Sequence, residues 1–326
     1  MNTTITQQIA ERLLANKGNP VSGQQLAEDF GISRTAIWKH MKELEEQGYE
    51  LETIRKKGYV LKQAPDTLDP IGISPFLRTV RIGQNLSYHT SVTSTQIIAH
   101  QLAQDGAPDG TAVIAEEQTT GRGRMARKWE SAYGKGVWMS IILRPQIPIH
   151  KAPQFTLVAA VAAAKAIEET IGRAPSIKWP NDILIEGKKS TGILTELQSD
   201  VDGVQALIIG IGLNANQVEE DFQEDLRSIA TSIRMEKGEA VNRAALAAAV
   251  LNHLEFYTDL YLEEGFSPVK SVWESYSNTI GNRVRARLAK ETLIGVAESI
   301  TDDGVLKLRT DDGVVHAIYS ADIELT

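Results

Sequence analysis

The stretch TAVIAEEQTTGRGRMARKW, residues 111–129, joins an apolar segment to a loop rich in arginine and glycine. Its first seven residues predict a buried strand, and the loop leaves that strand at its end, where binding sites are commonly built. Glycines let the backbone approach a ligand, and four cations suit a polyphosphate or an acyl-phosphate. The cations are Arg122, Arg124, Arg127 and Lys128. For this stretch alone, a solvated surface loop is the alternative.

Length and composition favour a globular protein of two or three domains. The chain has 326 residues, of which 42% are hydrophobic and 23% are charged, so it can bury a sizeable core. It has no cysteine, which excludes disulfides, thiolate zinc sites and cysteine nucleophiles. The N-terminus lacks a signal-peptide pattern and no apolar run reaches transmembrane length. We therefore expect a cytoplasmic protein without a membrane partner.

Residues 1–65 predict a winged helix-turn-helix domain. Apolar spacing predicts a helix over residues 4–16, and capping serines predict two more over 22–30 and 34–47. Residues 49–61 then alternate around a basic tip and predict a hairpin, the wing. Nine Lys and Arg against eight Asp and Glu give this part a net charge of +1, whereas the whole chain carries −8. A small helical protein-interaction domain is the alternative.

The third helix and the wing tip carry side chains suited to DNA. Cations contact phosphates, and polar side chains on the open face of a recognition helix reach base edges. The candidate DNA-binding residues are Ser33, Arg34, Thr35, Trp38, Lys39, Lys42, Arg55, Lys56 and Lys57.

The remaining chain predicts an α+β protein with two further domains. Prolines and aspartates in APDTLDPIGI (64–73) predict a linker over residues 66–83. Helices and strands mix over 84–276, including a helix that starts within residues 91–104 and has an apolar stripe of Ile97, Ile98 and Leu102. Four short alternating strands predict a small SH3-like β-barrel over 277–326.

One predicted strand, VQALIIGIGL (204–213), has glycines at 210 and 212. Glycines at this spacing leave one face of the strand without side chains, so a flat ligand could lie against the backbone.

Familiar catalytic patterns are missing from the sequence. We find no Ser-His-Asp spacing, P-loop, zinc pattern or dinucleotide fingerprint. Cations and amides remain, and they suit phosphoryl or nucleotidyl transfer, which depends on positioning and charge stabilisation. Asp182 is the candidate Mg²⁺ ligand, because Mg²⁺ takes one or two carboxylates besides phosphate oxygens. An ordinary turn is the alternative for Pro180, Asn181 and Asp182.

Five stretches, in the expected order, resemble biotin–protein ligases. They are Ser94-Thr95-Gln96, Gln118 with GRGR at 121–124, KWPND at 178–182, GKKSTGIL at 187–194 and GIGLN at 210–214. With the N-terminal domain added, the chain resembles the bifunctional type that also represses the biotin operon. The resemblance covers essentially the whole chain. It implies that residues 84–276 are a mixed-sheet ligase core resembling class II synthetases.

The resemblance implies a two-step reaction that uses ATP and Mg²⁺. The biotin carboxylate attacks the α-phosphorus of ATP to give biotinyl-5′-AMP and pyrophosphate. A lysine of the biotin carboxyl carrier protein of acetyl-CoA carboxylase then displaces AMP. The resemblance also implies a repressor that binds operator DNA as a homodimer when the adenylate is bound.

The same resemblance assigns the site residues. Biotin would contact Ser94, Thr95, Gln96, Gln118, Arg122, Gly123, Arg124 and Lys189. ATP would contact Arg124, Trp129, Lys178, Asn181, Asp182 and Asn214. The catalytic residues would be Lys178, Lys189 and Arg124. For Trp129 a half-buried core position is the alternative, and for Ser94 and Thr95 a helix cap.

Met125 and Ala126 depart from the family pattern, in which GRGR is often followed by Arg-Gly or by an apolar residue and Gly. Ala126 adopts a positive φ less readily than glycine, so a stiffer loop is expected. Two alternative functions stay open at this point: a lipoate–protein ligase, which shares the core architecture, and a ligand-sensing regulator without ligase activity.

Overall fold

The computed structural model describes residues 4–16, 18–200, 203–288 and 290–326. Residues 1–3, Lys17 and Ala289, which fall within predicted elements or domains, lie outside the described residues. The α+β prediction is confirmed: a helical N-terminal unit, a mixed central sheet covered by helices and a C-terminal antiparallel sheet follow one another.

Three helices and a hairpin form the N-terminal unit. They are α1 (Ile5–Ala15), α2 (Gly23–Asp29), α3 (Arg34–Glu46), β1 (Glu50–Ile54) and β2 (Gly58–Gln63). Ser22 and Ser33 cap α2 and α3 by accepting hydrogen bonds from backbone N–H groups, as predicted. A Cβ on Gly58 would lie 2.0 Å from the Val21 carbonyl oxygen. The wing can therefore lie against the α1–α2 connection only because residue 58 is glycine.

The predicted linker is packed between the first two units. It contains α4 (Pro70–Ile73) and a 3-10 turn over Ser74–Phe76. Ile71 lies in the N-terminal core, whereas Leu68, Ile73 and Ile82 lie in the central core. The segment connects the two units, and its irregularly spaced apolar residues hold it against both.

A seven-stranded mixed sheet forms the centre of the molecule. Its strands are β3 (Leu86–His89), β4 (Ala112–Ala115), β5 (Gly136–Leu143), β6 (Ser176–Lys178), β7 (Asp182–Ile185), β8 (Lys188–Asp200) and β9 (Gly203–Asn214). The order is β3-β4-β5-β9-β8-β7-β6; β3 and β4 pair in parallel, and the other neighbouring strands pair antiparallel.

Helices cover the two faces of this sheet unequally. The helices are α5 (Thr95–Gln104), α6 (Gln154–Ile171), α7 (Ile233–Lys237), α8 (Arg243–Glu264) and α9 (Phe266–Tyr276). On one face α6 contacts β8 and β9, and α8 contacts β5; α9 packs against α6 and α8. On the other face α5 packs against β4, β5 and β9. The rest of that second face is open to a cavity.

The predicted apolar stripe of α5 is correct in part, since Ile98 and Leu102 pack against the core between this helix and the sheet. Ile97 is 36% exposed, whereas Thr95, Gln96, Ala99 and Ala103 are buried. The periodicity did not predict this part of the buried face, because the end of α5 nearest the cavity presents polar groups to it and small residues to the sheet.

The C-terminal unit is a five-stranded antiparallel sheet. Its strands are β10 (Arg283–Arg287), β11 (Thr292–Ile300), β12 (Leu306–Thr310), β13 (Val315–Ile318) and β14 (Asp322–Leu325), in the order β13-β12-β11-β10-β14. The C-terminal β-rich domain is thus confirmed. The sequence did not predict β14, whose four residues include two carboxylates. The unit is fixed to the central core in part by the indole N–H of Trp179, which donates to the Gly304 carbonyl over 3.2 Å.

Candidate active site

A cavity of about 410 Å³ lies on the open face of the sheet, over β5, β9 and β8. Residues from distant parts of the sequence meet there. Every residue predicted to contact biotin or ATP lines it: Ser94, Thr95, Gln96, Gln118, Arg122, Gly123, Arg124, Trp129, Lys178, Asn181, Asp182, Lys189 and Asn214.

Glycines form the floor of the cavity. Gly192 of β8 pairs with Gly212 of β9, and Gly210 lies two residues along the same strand. The prediction of a strand face without side chains is correct, but the protein's own side chains occupy part of the space. A Cβ on Gly212 would lie 2.5 Å from Nε1 of Trp129, and a Cβ on Gly210 would lie 2.6 Å from Oε1 of Gln96. The flat group against Gly212 is therefore the indole of Trp129.

Trp129 is half-buried between the sheet and a cation. Lys189 Nζ lies 5.3 Å from the centroid of its ring, a cation–π distance. The indole N–H is buried and has no hydrogen-bond partner within the described residues. A buried donor without a partner costs stability unless something accepts from it. This N–H lies against the backbone of Gly212, at the floor of the cavity.

Buried hydroxyls and amides form a connected network beside the glycine floor. Gln118 Oε1 accepts from the backbone N–H of Thr95 over 2.8 Å, and Gln118 Nε2 donates to Ser131 Oγ over 2.9 Å. Ser140 Oγ lies 2.8 Å from Thr95 Oγ1 and donates to Gln96 Oε1 over 2.9 Å. Sequence reasoning missed Ser131 and Ser140, because a single serine next to or within a strand carries no motif.

Ser94 occupies the N-cap position of α5, but its side chain makes no capping hydrogen bond. It is 1% exposed and lines the cavity. A helix-cap role does not account for its hydroxyl.

The arginine- and glycine-rich loop folds back on itself as a tight hairpin. Gly123 donates its N–H to the Arg127 carbonyl over 2.8 Å, and Trp129 donates to the Gly121 carbonyl over 2.9 Å. The residue with positive φ is Met125, at 55°, and not Ala126. Backbone strain thus lies at Met125, a non-glycine residue in the left-handed region, one residue before the position where Ala126 replaces the glycine of the family.

The loop is held against the C-terminal unit. Arg124 donates from Nη1 to Asn181 Oδ1 over 2.9 Å and from Nη2 to Ser320 Oγ over 2.7 Å, and Arg127 pairs with Asp322. Burial lowers the pKa of the Arg124 guanidinium from its ordinary value. Ser320 and Asp322 were not predicted, since nothing near them in sequence marks a contact with a loop almost two hundred residues away.

Asp182 lies between two lysines. Its Oδ1 is 2.6 Å from Lys189 Nζ, an ion-pair contact without hydrogen-bond geometry, and its Oδ2 is 3.5 Å from Lys178 Nζ. Within the described residues, no three His, Cys, Asp or Glu side chains converge as a metal site. The residues fit only an ion that takes one carboxylate from protein and its other ligands from phosphate and water, which is a common arrangement for Mg²⁺.

Asn214 is fixed by the protein itself. Its Nδ2 donates to the Thr231 carbonyl over 3.1 Å, and its Oδ1 accepts from Gln217 Nε2 over 3.1 Å. The segment after it forms another wall of the cavity through Asp221, Phe222, Leu226, Ile229 and Ala230. This wall was not predicted, because its residues follow no recognisable pattern.

One carboxylate in that wall has a shifted pKa. Burial acts to raise the pKa of Asp221, but hydrogen bonds from Lys135 Nζ and from the Val218 N–H, 2.8 Å each, outweigh it and lower that pKa. The wall segment is thereby tied to Lys135, just before β5.

The predicted DNA-binding residues lie outside the cavity, on α3 and at the tip of the wing. All nine are exposed, including Trp38 at 53%. The Ser33 hydroxyl already caps α3, and Lys42 is paired with Glu45. The other seven remain candidates for contact with DNA. They are Arg34, Thr35, Trp38 and Lys39 on α3, and Arg55, Lys56 and Lys57 at the wing tip.

Comparison with known proteins agrees with this arrangement. Residues 86–214 match the biotin/lipoate A/B protein ligase family, residues 6–60 an HTH domain and residues 279–326 the biotin protein ligase C terminal domain. The bifunctional ligase/repressor BirA of Bacillus subtilis (strain 168) is 49% identical over 100% of both chains. The chain belongs to the BirA family of bifunctional ligase/repressors.

Other members of the wider ligase group support the same assignment. The BirA of Escherichia coli (strain K12) is 29% identical over 96% of this chain and 95% of its own. The solved biotin protein ligase from Aquifex aeolicus in complex with biotin and ATP has a TM-score of 0.64 and 31% identity, and covers 74% of this chain and 99% of its own. The C-terminal match is to a biotin protein ligase domain, which favours the biotin variety over the lipoate alternative.

The predicted membership of the biotin–protein ligases, in the bifunctional form, is confirmed by these relatives. In the described part of this BirA-family chain, no helix is both long and apolar enough to cross a bilayer.

Proposed function

We propose that this chain joins biotin to AMP with ATP, transfers biotin to a lysine of biotin carboxyl carrier protein, and represses biotin genes when the adenylate is bound. The observation that carries the proposal is the convergence of all thirteen predicted ligand residues on one cavity. Phosphate-binding cations, a glycine floor and a buried polar network would otherwise have no reason to share one site.

The polar network suits the ureido ring of biotin. That ring offers one carbonyl acceptor and two N–H donors, and hydroxyls and amides can meet both. Thr95, Gln96 and Gln118 are held in fixed orientations by hydrogen bonds before any ligand arrives. Fixed partners lose less conformational freedom on binding, which favours affinity and selectivity.

The cations at the other side of the cavity suit the adenylation step. A carboxylate and a triphosphate repel each other, so positive charge must lie where they meet. Lys189 and Lys178 flank Asp182 there, and Arg124 is positioned by Asn181. A biotin carboxylate oxygen would attack the α-phosphorus, and the bond to the bridging oxygen of pyrophosphate would break. The cations would stabilise charge on the carboxylate, the α-phosphate and the leaving pyrophosphate.

Asp182 would hold Mg²⁺ if the ion binds with ATP. The ion would neutralise phosphate charge, since Mg²⁺ in nucleotide sites is typically held by one or two carboxylates and phosphate oxygens. Lys189 and Lys178 would then exchange their contacts with Asp182 for contacts with carboxylate and phosphate oxygens.

The mixed anhydride must be protected from water until the carrier lysine arrives. The hairpin loop covers one side of the cavity, and its contacts with Ser320 and Asp322 hold it closed against the C-terminal unit. Excluding water from a reactive intermediate is a common role for such loops. The carrier amine would attack the acyl carbon, and AMP would leave with the phosphate oxygen of the anhydride.

The exposed cations of α3 and the wing support operator binding by the N-terminal unit. One copy has a net charge close to neutral, which predicts modest affinity for DNA. A homodimer formed with bound adenylate would double the contacts and match a two-fold operator.

Pyrophosphate release tests the enzymatic part. Full-length chain with ATP and biotin should release pyrophosphate and then transfer labelled biotin to a carrier domain, whereas lipoate should support neither step. Release with lipoate alone would favour a lipoate ligase. DNA binding gated by biotin, with no ATP turnover, would favour a regulator without ligase activity.

A further inference from the structure

Glu196 lies on β8 just outside the cavity, at the end of the buried polar network. Its Oε2 accepts from Gln96 Nε2 over 2.9 Å and from His100 Nε2 over 2.9 Å. Glu196 does not line the cavity, whereas Gln96, Ser140 and Thr95 do. The carboxylate therefore touches the ligand site only through Gln96.

A carboxylate fixes the direction of the hydrogen bonds that lead to it. Ionised Glu196 is an acceptor only, so Gln96 must present its NH₂ group to it. Gln96 Oε1 then faces Ser140 and receives the Ser140 hydroxyl proton over 2.9 Å. Gln96 is 5% exposed and its Nε2 also donates to the Ile208 carbonyl over 3.1 Å, so the amide is held in this orientation.

The same donor-to-acceptor direction extends from Ser140 to Thr95. Because the single Ser140 proton goes to Gln96, the 2.8 Å contact between Ser140 Oγ and Thr95 Oγ1 requires Thr95 to donate. Gln118 Oε1, 3.1 Å from Thr95 Oγ1, is the other acceptor within reach of the Thr95 hydroxyl proton, but donation to it would leave the 2.8 Å contact between the Thr95 and Ser140 hydroxyl oxygens without a proton. Protons thus point from Thr95 to Ser140, to Gln96 and to Glu196. Hydrogen bonds that follow one another in such a chain polarise and strengthen each other.

The outcome at the cavity is a pair of hydroxyl oxygens that offer lone pairs. Thr95 Oγ1 accepts from no group in this arrangement, and Ser140 Oγ accepts only from Thr95. Both residues line the cavity. A ligand with N–H donors would find acceptors there. A ligand that offers only carbonyl oxygens would find no hydrogen-bond donor in these two hydroxyl groups.

We propose that Glu196 is a positioning residue which, through Gln96 and Ser140, turns this part of the cavity into an acceptor for the ureido N–H groups of biotin. The inference rests on the proposed biotin ligase function. His100 supports Glu196 from outside: its Nε2 bonds to the carboxylate, and its Nδ1 lies 2.9 Å from Gln198 Nε2.

Calorimetric titration of the full chain with biotin tests this role. Glu196→Gln keeps the shape but lets the side chain present either oxygen or NH₂, so the Ile208 carbonyl is left to orient the Gln96 amide alone and the preference for this direction is weakened. We expect its Kd for biotin to rise about three- to tenfold, as for one weakened hydrogen bond. The KM for ATP and the thermal midpoint should stay unchanged, because the fold and the phosphate cations are untouched.

Ser140→Ala supplies the second arm, because it cuts the chain between Gln96 and Thr95. In the double variant with Glu196→Gln, the Kd should be no higher than in Ser140→Ala alone. The matched control is Glu169→Gln, which removes the carboxylate from another His–Glu pair, 2.9 Å from His253 Nε2 and outside the cavity lining. It should bind biotin like the wild type.

Two results would overturn the role of Glu196. One is a wild-type Kd for Glu196→Gln, and the other is a double variant in which the effects of the two substitutions on Kd multiply. Either result would leave the ligase proposal standing. A wild-type chain that binds no biotin would overturn both.

Discussion

The indole of Trp129 lies against the backbone of Gly212, so closely that a Cβ on residue 212 would be 2.5 Å from the indole Nε1. Across the strand pair, a Cβ on Gly192 would lie 2.9 Å from Cζ3 of the same ring. The two glycines, paired in register, therefore form the seat of Trp129, and the position of the ring between the sheet and Lys189 depends on them.

Gly212→Ala should displace the indole and slow adenylation. Forcing a methyl group into a filled space typically costs 1–3 kcal/mol, so the rate of pyrophosphate release should fall by about tenfold. In a Trp129→Ala background the same substitution should have little further effect, since nothing is left to displace. Wild-type rates for Gly212→Ala would show that the seat of Trp129 is irrelevant to the reaction.

Lys189→Ala should lower adenylate formation by about a hundredfold or more, because removing a preorganised charge partner of the transition state costs on the order of 3–4 kcal/mol. Lys188→Ala is the matched control. Consecutive side chains on a strand point to opposite faces, and Lys188 does not line the cavity. Single-turnover measurements with biotin and ATP should show the loss in Lys189→Ala only. Equal rates for the two variants would remove Lys189 from the site.

Arg243→Met should destabilise the fold strongly. Arg243 is 2% exposed and pairs with Glu116 over 2.7 Å and with Asp66 over 2.9 Å. Without its guanidinium, the buried Glu116 would lose its cation, a loss that typically costs about 3–5 kcal/mol. Urea unfolding followed by circular dichroism would measure the change.

The control for that variant is Arg283→Met, which breaks an exposed pair with Asp311. Its urea midpoint should match that of the wild type, since exposed pairs contribute little. If Arg243→Met unfolds at the wild-type midpoint as well, Arg243 does not hold the segment around Asp66 to the core.

Lys39→Ala and Arg55→Ala should each weaken operator binding and reduce its salt dependence. If each side chain neutralises one phosphate, its removal should lower the slope of log K against log salt by about one. The measurement is fluorescence anisotropy on the promoter region of the biotin genes, with biotin and ATP present. Lys62→Ala, whose ammonium pairs with Glu52 over 2.6 Å, should keep the wild-type slope. Unchanged slopes in the first two variants would contradict the predicted DNA face.

Local sequence signals predicted a large part of the fold. Ser22 and Ser33 marked helix starts because a side-chain cap acts within three residues, and the glycines at 210 and 212 marked a bare strand face because side chains alternate along a strand. The ligand residues were predicted from a family resemblance, and the structure brings them to one cavity.

The contacts that the sequence did not predict are those set by tertiary packing. Ser320 meets Arg124 only because the C-terminal sheet folds against the hairpin loop. Ser140 belongs to the polar network because β5 lies beside α5. Trp129 filled the space over Gly212 that a flat ligand was expected to occupy, since the loop returns across the floor of the cavity. No local sequence pattern indicates any of these contacts.

The most direct test of the proposed site is a crystal structure of the full chain with biotin and a non-hydrolysable ATP analogue. We predict that the biotin ureido ring lies against Thr95 and Gln118, with its carboxylate within about 4 Å of Lys189 Nζ, an ion-pair distance, and with the α-phosphate beside it. Biotin and nucleotide bound together at a place remote from the glycine floor and from Lys189 would contradict the account.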